Sequence, residues 1–232
     1  MALDVTLSVV IPSYMEEENL RQLLPRLQQV LFELAISSEV LVIDTLNPLD
    51  NTREVCELYG ATYMNRRDGN FFGDAVRTGL QAAQGAYVIF MDADGSHPPE
   101  FIRKLWAEHS NSDIVIASRY VPGGTTDNPR ILIFMSLVVN LIYSLVLGLS
   151  CKDVSNSFKL YKGELLKDLS LRCSNFDIVE ELLFKIKQAH PEVRILEIPF
   201  NFRKRMFGST KRSLPAFMVS FLFTLLRLRF GR

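Results

Sequence analysis

Short β-branched or apolar runs alternate with helical stretches along most of this chain, and each run stops at a polar or charged group. Residues 6–11 form the first run, broken by Pro12, and 17–34 follow with apolar residues at helical spacing and Pro25 as a point of bending. Residues 39–43 close on Asp44, 52–59 read as a short helix, 61–64 as a third strand, and 73–84 as a helix ended by Gly85. A fourth strand ends at Met91 and delivers Asp92-Ala93-Asp94, and 113–117 lead into Ser118-Arg119-Tyr120. This alternation predicts an α/β fold with a doubly wound, mainly parallel sheet, in one domain over residues 1–232 with no repeat or low-complexity linker. Ligands of such sheets collect at the carboxyl ends of the strands. Pro12, Tyr14, Asp44, Asp92, Asp94 and Arg119 all fall at those ends, so a single cleft is expected.

Two carboxylates two residues apart at the end of a buried strand lie on one side of the chain, where they can share a divalent cation and hold a diphosphate. Alone, Asp92-Ala93-Asp94 reads more readily as an acidic turn capping the helix after Pro98-Pro99, and the rest of the chain reverses that preference. The three cysteines, Cys56, Cys151 and Cys173, lack metal-ligand spacing and fit core thiols in a reducing compartment. His97, His109 and His190 likewise have no metal spacing, although His97 falls in the loop beside the aspartates; Trp106 is expected in the core. The first residues lack the basic and long apolar segments of a signal peptide, which points to the cytoplasm.

Net charge is zero, but no acidic residue follows Glu197, while Arg203, Lys204, Arg205, Lys211, Arg212, Arg227, Arg229 and Arg232 do. The apolar stretch 214–226 inside this tail favours an anionic membrane surface over nucleic acid. Residues 131–149 are apolar for nearly the length of a membrane span, with Ser136, Asn140, Ser144 and Gly148 recurring as one small or polar stripe. A helix lying in the interface is expected, its stripe toward the protein and Leu132, Val139, Tyr143 and Val146 outward; a true span and a buried core helix are the other readings. Further on, 157–161 read as a strand and 176–188 as a helix with Glu180 and Glu181 on its surface or facing a ligand. Residues 194–202 run extended into a basic loop, Arg203 to Lys211, suited to phosphate.

Ser8-Val9-Val10-Ile11-Pro12-Ser13-Tyr14-Met15-Glu16-Glu17-Glu18-Asn19-Leu20 resembles the opening nucleotide-binding motif of family 2 glycosyltransferases with the GT-A fold. More narrowly, Asp92-Ala93-Asp94-Gly95-Ser96-His97-Pro98-Pro99-Glu100, Ser118-Arg119-Tyr120, the Arg130-to-Asp153 region and Arg205-x-x-Gly208-x-Thr210-Lys211 together resemble the dolichol-phosphate mannosyltransferase group. The resemblance implies that Pro12, Tyr14, Glu16 and Asp44 line the base and ribose pocket, and that Asp92 and Asp94, assisted by Ser96, hold Mg²⁺ or Mn²⁺ against the donor diphosphate. Arg119, Arg130, Arg205 and Lys211 would grip the phosphates of a nucleotide-sugar donor and a polyprenyl phosphate acceptor, with the helices near 131–149 and 214–229 on the membrane. The chain departs from the family pattern at Thr45, where a second aspartate is common, at Gly95, where leucine is usual, and at Asn156, where glycine is usual.

A phosphate monoester with a second pKa of about 6 is largely a dianion at neutral pH, so transfer to a lipid phosphate needs positioning and charge neutralisation more than a base. The expected reaction is inverting, metal-dependent transfer of a hexose, most simply mannose, from a GDP-mannose or UDP-glucose type donor at the cytoplasmic face of a membrane. Asp153 is the candidate base or acceptor-positioning carboxylate, with turn capping as its alternative role. A sugar-hydroxyl acceptor and a nucleotide-binding scaffold without turnover are the rival functions, and a membrane subunit or homo-oligomer is left open.

Overall fold

Residues 4–203 and 214–230 are described by a computed structural model. In chain order the elements are β1 (Leu7–Pro12), α1 (Glu17–Leu34), β2 (Ser38–Asp44), α2 (Thr52–Leu58), β3 (Thr62–Asn65), α3 (Phe72–Ala82), β4 (Tyr87–Phe90), α4 (Ile102–Ala107) and β5 (Ile114–Ser118). Then come β6 (Thr125–Thr126), α5 (Arg130–Leu147), β7 (Lys159–Lys162), α6 (Ile178–Ala189), β8 (Ile195–Pro199), β9 (Asn201–Phe202) and α7 (Leu214–Phe230). The main sheet has seven strands in the order β3-β2-β1-β4-β7-β5-β8, and β6 and β9 form a small separate ribbon. All pairings in the main sheet are parallel except those of β7, which runs antiparallel to β4 and β5.

The chain leaves β1 toward β2 and β3, then returns to lay β4 on the other side of β1, so the strand order reverses there and opens a crevice at the carboxyl ends of β1 and β4. The reversed β7 adds a second consequence. The segment before it, Asp153 to Phe158, must lie at the same edge as the segments after β4 and β5.

Alternation along β1 sends Leu7, Val9 and Ile11 to one face and Val10 to the other. On the first face α1, α2 and α4 pack, with Leu20, Leu23, Leu24 and Leu27 of α1 fully buried, each worth about 1.5–3 kcal/mol of transfer free energy. Pro25 sits within α1 without ending it. Trp106 packs partly buried against this cluster, its ring stacked on His109. The opposite face is covered by α3, α5, α6 and α7.

The face that α5 turns inward differs from the expected stripe. Asn140 is buried, but its inward companions are Val139, Tyr143 and Leu147, whereas Gly148 is an exposed left-handed cap with φ 66°. Contact with α7 decides this, through an edge-on pair of Tyr143 and Phe221 at 4.7 Å. The small hydroxyls of the stripe bond locally instead: Ser136 accepts from Asn140 Nδ2, and Ser144 Oγ donates to Leu149 O. Ile131, Phe134, Leu141 and Leu145 form the exposed face. Glu180 and Glu181 are also not surface residues; both are buried, and Glu181 accepts from the backbone N–H groups of Arg172 and Cys173. The three cysteines are free and buried, as their scattering suggests.

Helix α3 crosses β1 at a glycine. A Cβ on Gly79 would lie 2.3 Å from Val10 Cγ1. Alanine favours a helix over glycine by about 1 kcal/mol, whereas overpacking a core typically costs about 1–3 kcal/mol. Gly79→Ala is therefore expected to lower the urea midpoint; an unchanged or raised midpoint would mean that α3 can move off the sheet.

Candidate active site

At the end of β1 the backbone turns through Ser13 and Tyr14 to Met15, whose φ of 56° is unusual for a residue with a side chain. Pro12 closes the strand, Tyr14 stands partly exposed, and the Glu16 carboxylate accepts from Asn19 Nδ2 at 2.5 Å. Asp44, at the end of β2, is buried; Tyr63 Oη donates to its Oδ2 at 3.0 Å, and burial raises its pKa above the ordinary carboxylate value.

Sequence reasoning missed Arg66, which follows β3 at the same edge. It is buried, its backbone N–H donates to Asp44 O at 2.8 Å, and its guanidinium donates to the carbonyls of Asn70, Phe71 and Ser13. Burial lowers its pKa. Asp44 Oδ1, Arg66 Nε and Ser13 Oγ are buried without a hydrogen-bond partner among the described residues. Each such atom costs about 1–3 kcal/mol unless it finds a partner, and the three residues are neighbours, joined through the Ser13 and Asp44 carbonyls that Arg66 bonds. A basic residue directly after a strand end was the available signal.

Thr45, the first departure from the family pattern, is buried and turned into its own loop, where its hydroxyl donates to Asn47 O at 2.6 Å. Asp50 accepts from the N–H of Glu17 at 3.0 Å and from that of Thr52 at 3.1 Å, so one carboxylate caps the starts of α1 and α2.

After β4, the Asp92 N–H donates to His97 Nδ1 at 2.9 Å, and Ser157 Oγ donates to Asp92 Oδ1 at 3.1 Å. Asp94 Oδ1 accepts from both the N–H and Oγ of Ser96, at 3.0 and 2.6 Å. Ser96 is buried, and its hydroxyl serves Asp94, which makes its assistance to a cation indirect. Gly95 takes φ 81°, the left-handed turn that glycine adopts without steric cost. Carboxylates suit Mg²⁺ and Mn²⁺, and Mg²⁺ is commonly held by one or two of them plus phosphate oxygens. Among the described residues no group of three or more His, Cys, Asp or Glu gathers into a metal site; Asp92 and Asp94 supply two such carboxylates at the end of β4.

Arg119 and Asp153 meet across the cleft. Arg119 Nε and Nη2 donate to the two carboxylate oxygens at 2.8 and 2.6 Å, and its backbone N–H adds a third bond at 2.8 Å. The Asp153 side chain is fully buried and that of Arg119 is 10% exposed. Arg119 also reaches Ser155 Oγ and lies over the rings of Tyr120 and Phe202. Both oxygens of Asp153 are thus committed to Arg119, and its carboxylate does not cap the turn at Ser155, which is held by Arg119 and Asn140. Asn140 of α5 bonds Ser155 in both directions, at 2.9 and 3.1 Å. Arg130 is exposed at the first turn of α5, while Arg205 and Lys211 lie outside the described residues.

The reversal of strand order, the paired aspartates at its mouth and the sheet flanked by helices on both faces define an α/β domain of the GT-A type. The chain belongs to glycosyltransferase family 2: the model for "Glycosyl transferase family 2" matches residues 8–170. A dolichol-phosphate mannosyltransferase of Pyrococcus furiosus is 33% identical over 211 residues, 88% of this chain and 58% of that protein. An undecaprenyl-phosphate mannosyltransferase of Micrococcus luteus is 30% identical over 217 residues, 88% of this chain and 86% of its own. The present chain therefore spans little more than half of the Pyrococcus relative. Among solved structures, glucosyl-3-phosphoglycerate synthase from Mycobacterium tuberculosis in complex with Mn²⁺, UDP and phosphoglyceric acid superposes with a TM-score of 0.74 at 19% identity, covering 98% of this chain and 80% of that one. That likeness establishes the fold.

Breaking the buried pair by Asp153→Asn leaves Arg119 without its anion, a change that typically costs about 3–5 kcal/mol; the urea midpoint should fall accordingly, and a near-neutral effect would show the pair to be solvated. Lys159, fully buried beneath the same loop, donates through Nζ to Val154 O at 2.9 Å and to Asn156 O. Burial draws its pKa down to about 8, against the pull of Asp153. An unfolded lysine titrates near about 10.4, so between these values the unfolded chain binds the extra proton and stability rises with pH. Wild type should gain stability relative to Lys159→Met from pH 8 to 10, and a flat difference would show that the folded lysine keeps its proton.

Proposed function

We propose that this protein transfers a hexose, mannose in the simplest case, from a nucleotide sugar to a polyprenyl phosphate, with inversion, at the cytoplasmic face of a membrane. The observation that carries the reading is the placement of Asp92 and Asp94 at the reversal of strand order, between the buried polar residues Ser13, Asp44 and Arg66 and the Arg119 turn. The names of the two mannosyltransferase relatives support the substrate classes. Residues 1–232 are read as one catalytic domain.

Pro12, Tyr14, Glu16, Asp44 and Arg66 would receive the nucleoside, and Asp92 and Asp94 would hold Mg²⁺ or Mn²⁺. That cation would supply positive charge to the leaving diphosphate. Arg119, preset by Asp153, presents its guanidinium plane beside the metal loop, and Arg130, Arg205 and Lys211 are assigned to the remaining phosphate charge. A dianionic acceptor needs no proton removed. The engagement of both Asp153 oxygens by Arg119 favours this acceptor over a sugar hydroxyl, which would require a general base.

The membrane reading rests on the outward faces of α5, with Ile131, Phe134, Leu141 and Leu145, and of α7, with Phe223, Leu226 and Phe230. Arg130–Leu147 is apolar and long enough to cross a bilayer, but its inner face carries Asn140 bonded to Ser155 and Tyr143 packed on Phe221. Those ties favour a helix lying along the surface.

Two measurements test the proposal. Asp92→Ala or Asp94→Ala should lower kcat/KM for label entering a polyprenyl phosphate by about 100-fold or more, the scale of losing a preorganised electrostatic group; full activity would refute the metal assignment. Leu141→Glu with Leu145→Glu should cut flotation with anionic vesicles while leaving the thermal midpoint in place. Undiminished flotation would move the membrane contact elsewhere.

A further inference from the structure

We infer that Asn156 is a positioning residue for the metal-binding loop, acting through His97; the inference deepens the proposed function and rests on the assignment of Asp92 and Asp94 to the cation. The His97 ring is fully buried, stacked on Phe158 at 4.7 Å, with Phe200 and Phe202 edge-on to it. These apolar contacts fix its plane, and its two nitrogens have one hydrogen bond each. Nδ1 accepts from the Asp92 N–H at 2.9 Å and is therefore unprotonated, which leaves Nε2–H to donate to Asn156 Oδ1 at 3.2 Å. The Asn156 amide cannot be turned over without loss, because its Nδ2 donates to Ala117 O at 2.6 Å while its Oδ1 also accepts the Phe158 N–H at 3.3 Å. Its backbone carbonyl accepts from Lys159.

Residue 156 is thus held by β5, by β7 and by a buried lysine, and it passes that rigidity to the backbone at Asp92. Ser157 makes the second tie from the same turn, to the Asp92 carboxylate itself. A glycine at 156 would leave His97 Nε2–H and Ala117 O without these partners in a buried site, so the Asn156 side chain is itself the cross-link between the turn before β7 and the loop after β4. Groups that orient metal-ligating carboxylates from behind commonly govern about 10–100-fold in metal affinity.

The full chain is titrated with Mn²⁺ in the presence of GDP, bound metal being read by electron paramagnetic resonance, with thermal midpoints recorded for every variant. Asn156→Ala should weaken Mn²⁺ binding about 10-fold. His97→Phe, which keeps the ring packing, should do the same, and the double variant should be no weaker than either single one, since the two act as one path. Wild-type affinity in Asn156→Ala, or losses that add in the double variant, would overturn the inference. If Asp92→Ala leaves Mn²⁺ affinity unchanged, it is the metal assignment that fails. Should Asn156→Ala not fold, ¹⁵N spectra of histidine-labelled wild type decide: the Nε2–H tautomer is expected at His97, and the Nδ1–H tautomer contradicts the cross-link.

Discussion

The arrangement of this molecule turns on the direction of one strand. β7 lies between β4 and β5 and opposes both, so the turn that precedes it arrives at the edge where the parallel strands deliver their ends. Were β7 parallel, Asp153 and Ser157 would sit at the far end of the sheet, away from Asp92 and Arg119. The hydrogen bonds that join these groups follow from that single reversal. Strand direction is itself fixed by what flanks β7: α5 packs on the α3 face of the sheet, and the chain leaves it through Gly148 toward the ligand edge.

Around that edge the protein buries far more charge than a core of this size needs. Arg66, Asp44, Arg119, Asp153, Lys159, Glu180 and Glu181 are all largely removed from water. Such groups are tolerable only when hydrogen-bonded, and an ion pair in this setting contributes little net stability over an apolar replacement. Their yield is geometric. Arg119 is held by four hydrogen bonds to Asp153 and Ser155, which leaves it a single orientation. The group of Ser13, Asp44 and Arg66 is different, because it keeps buried polar atoms unpaired.

Much of this was legible from local pattern. The strand ends carrying Asp44, Asp92 and Arg119 were placed within a residue or so, because a run of β-branched residues broken by a polar group has few alternatives. The family resemblance is upheld by the match over residues 8–170. What local pattern could not carry was the direction of β7, the inward face of α5 and the burial of Glu180 and Glu181. Each depends on a distant partner: Phe221 for Tyr143, and the Arg172 and Cys173 amides for Glu181. Arg66 escaped for a related reason, since an isolated arginine after a strand looks like surface until the loop from Asn70 folds over it.

The loop between β2 and α2 is pinned at both ends, and between them the Leu46 N–H donates to Asn70 Oδ1 at 2.8 Å. At one end the Thr45 hydroxyl and its carbonyl, which accepts from Asn65, tie it down; at the other, Asp50 is fastened to two helix starts. Leu46 and Leu49 project from the stretch between, largely uncovered. Surface character and scaffold integrity are therefore separately mutable here: the two leucines can be exchanged while Thr45 and Asp50 keep the loop in place.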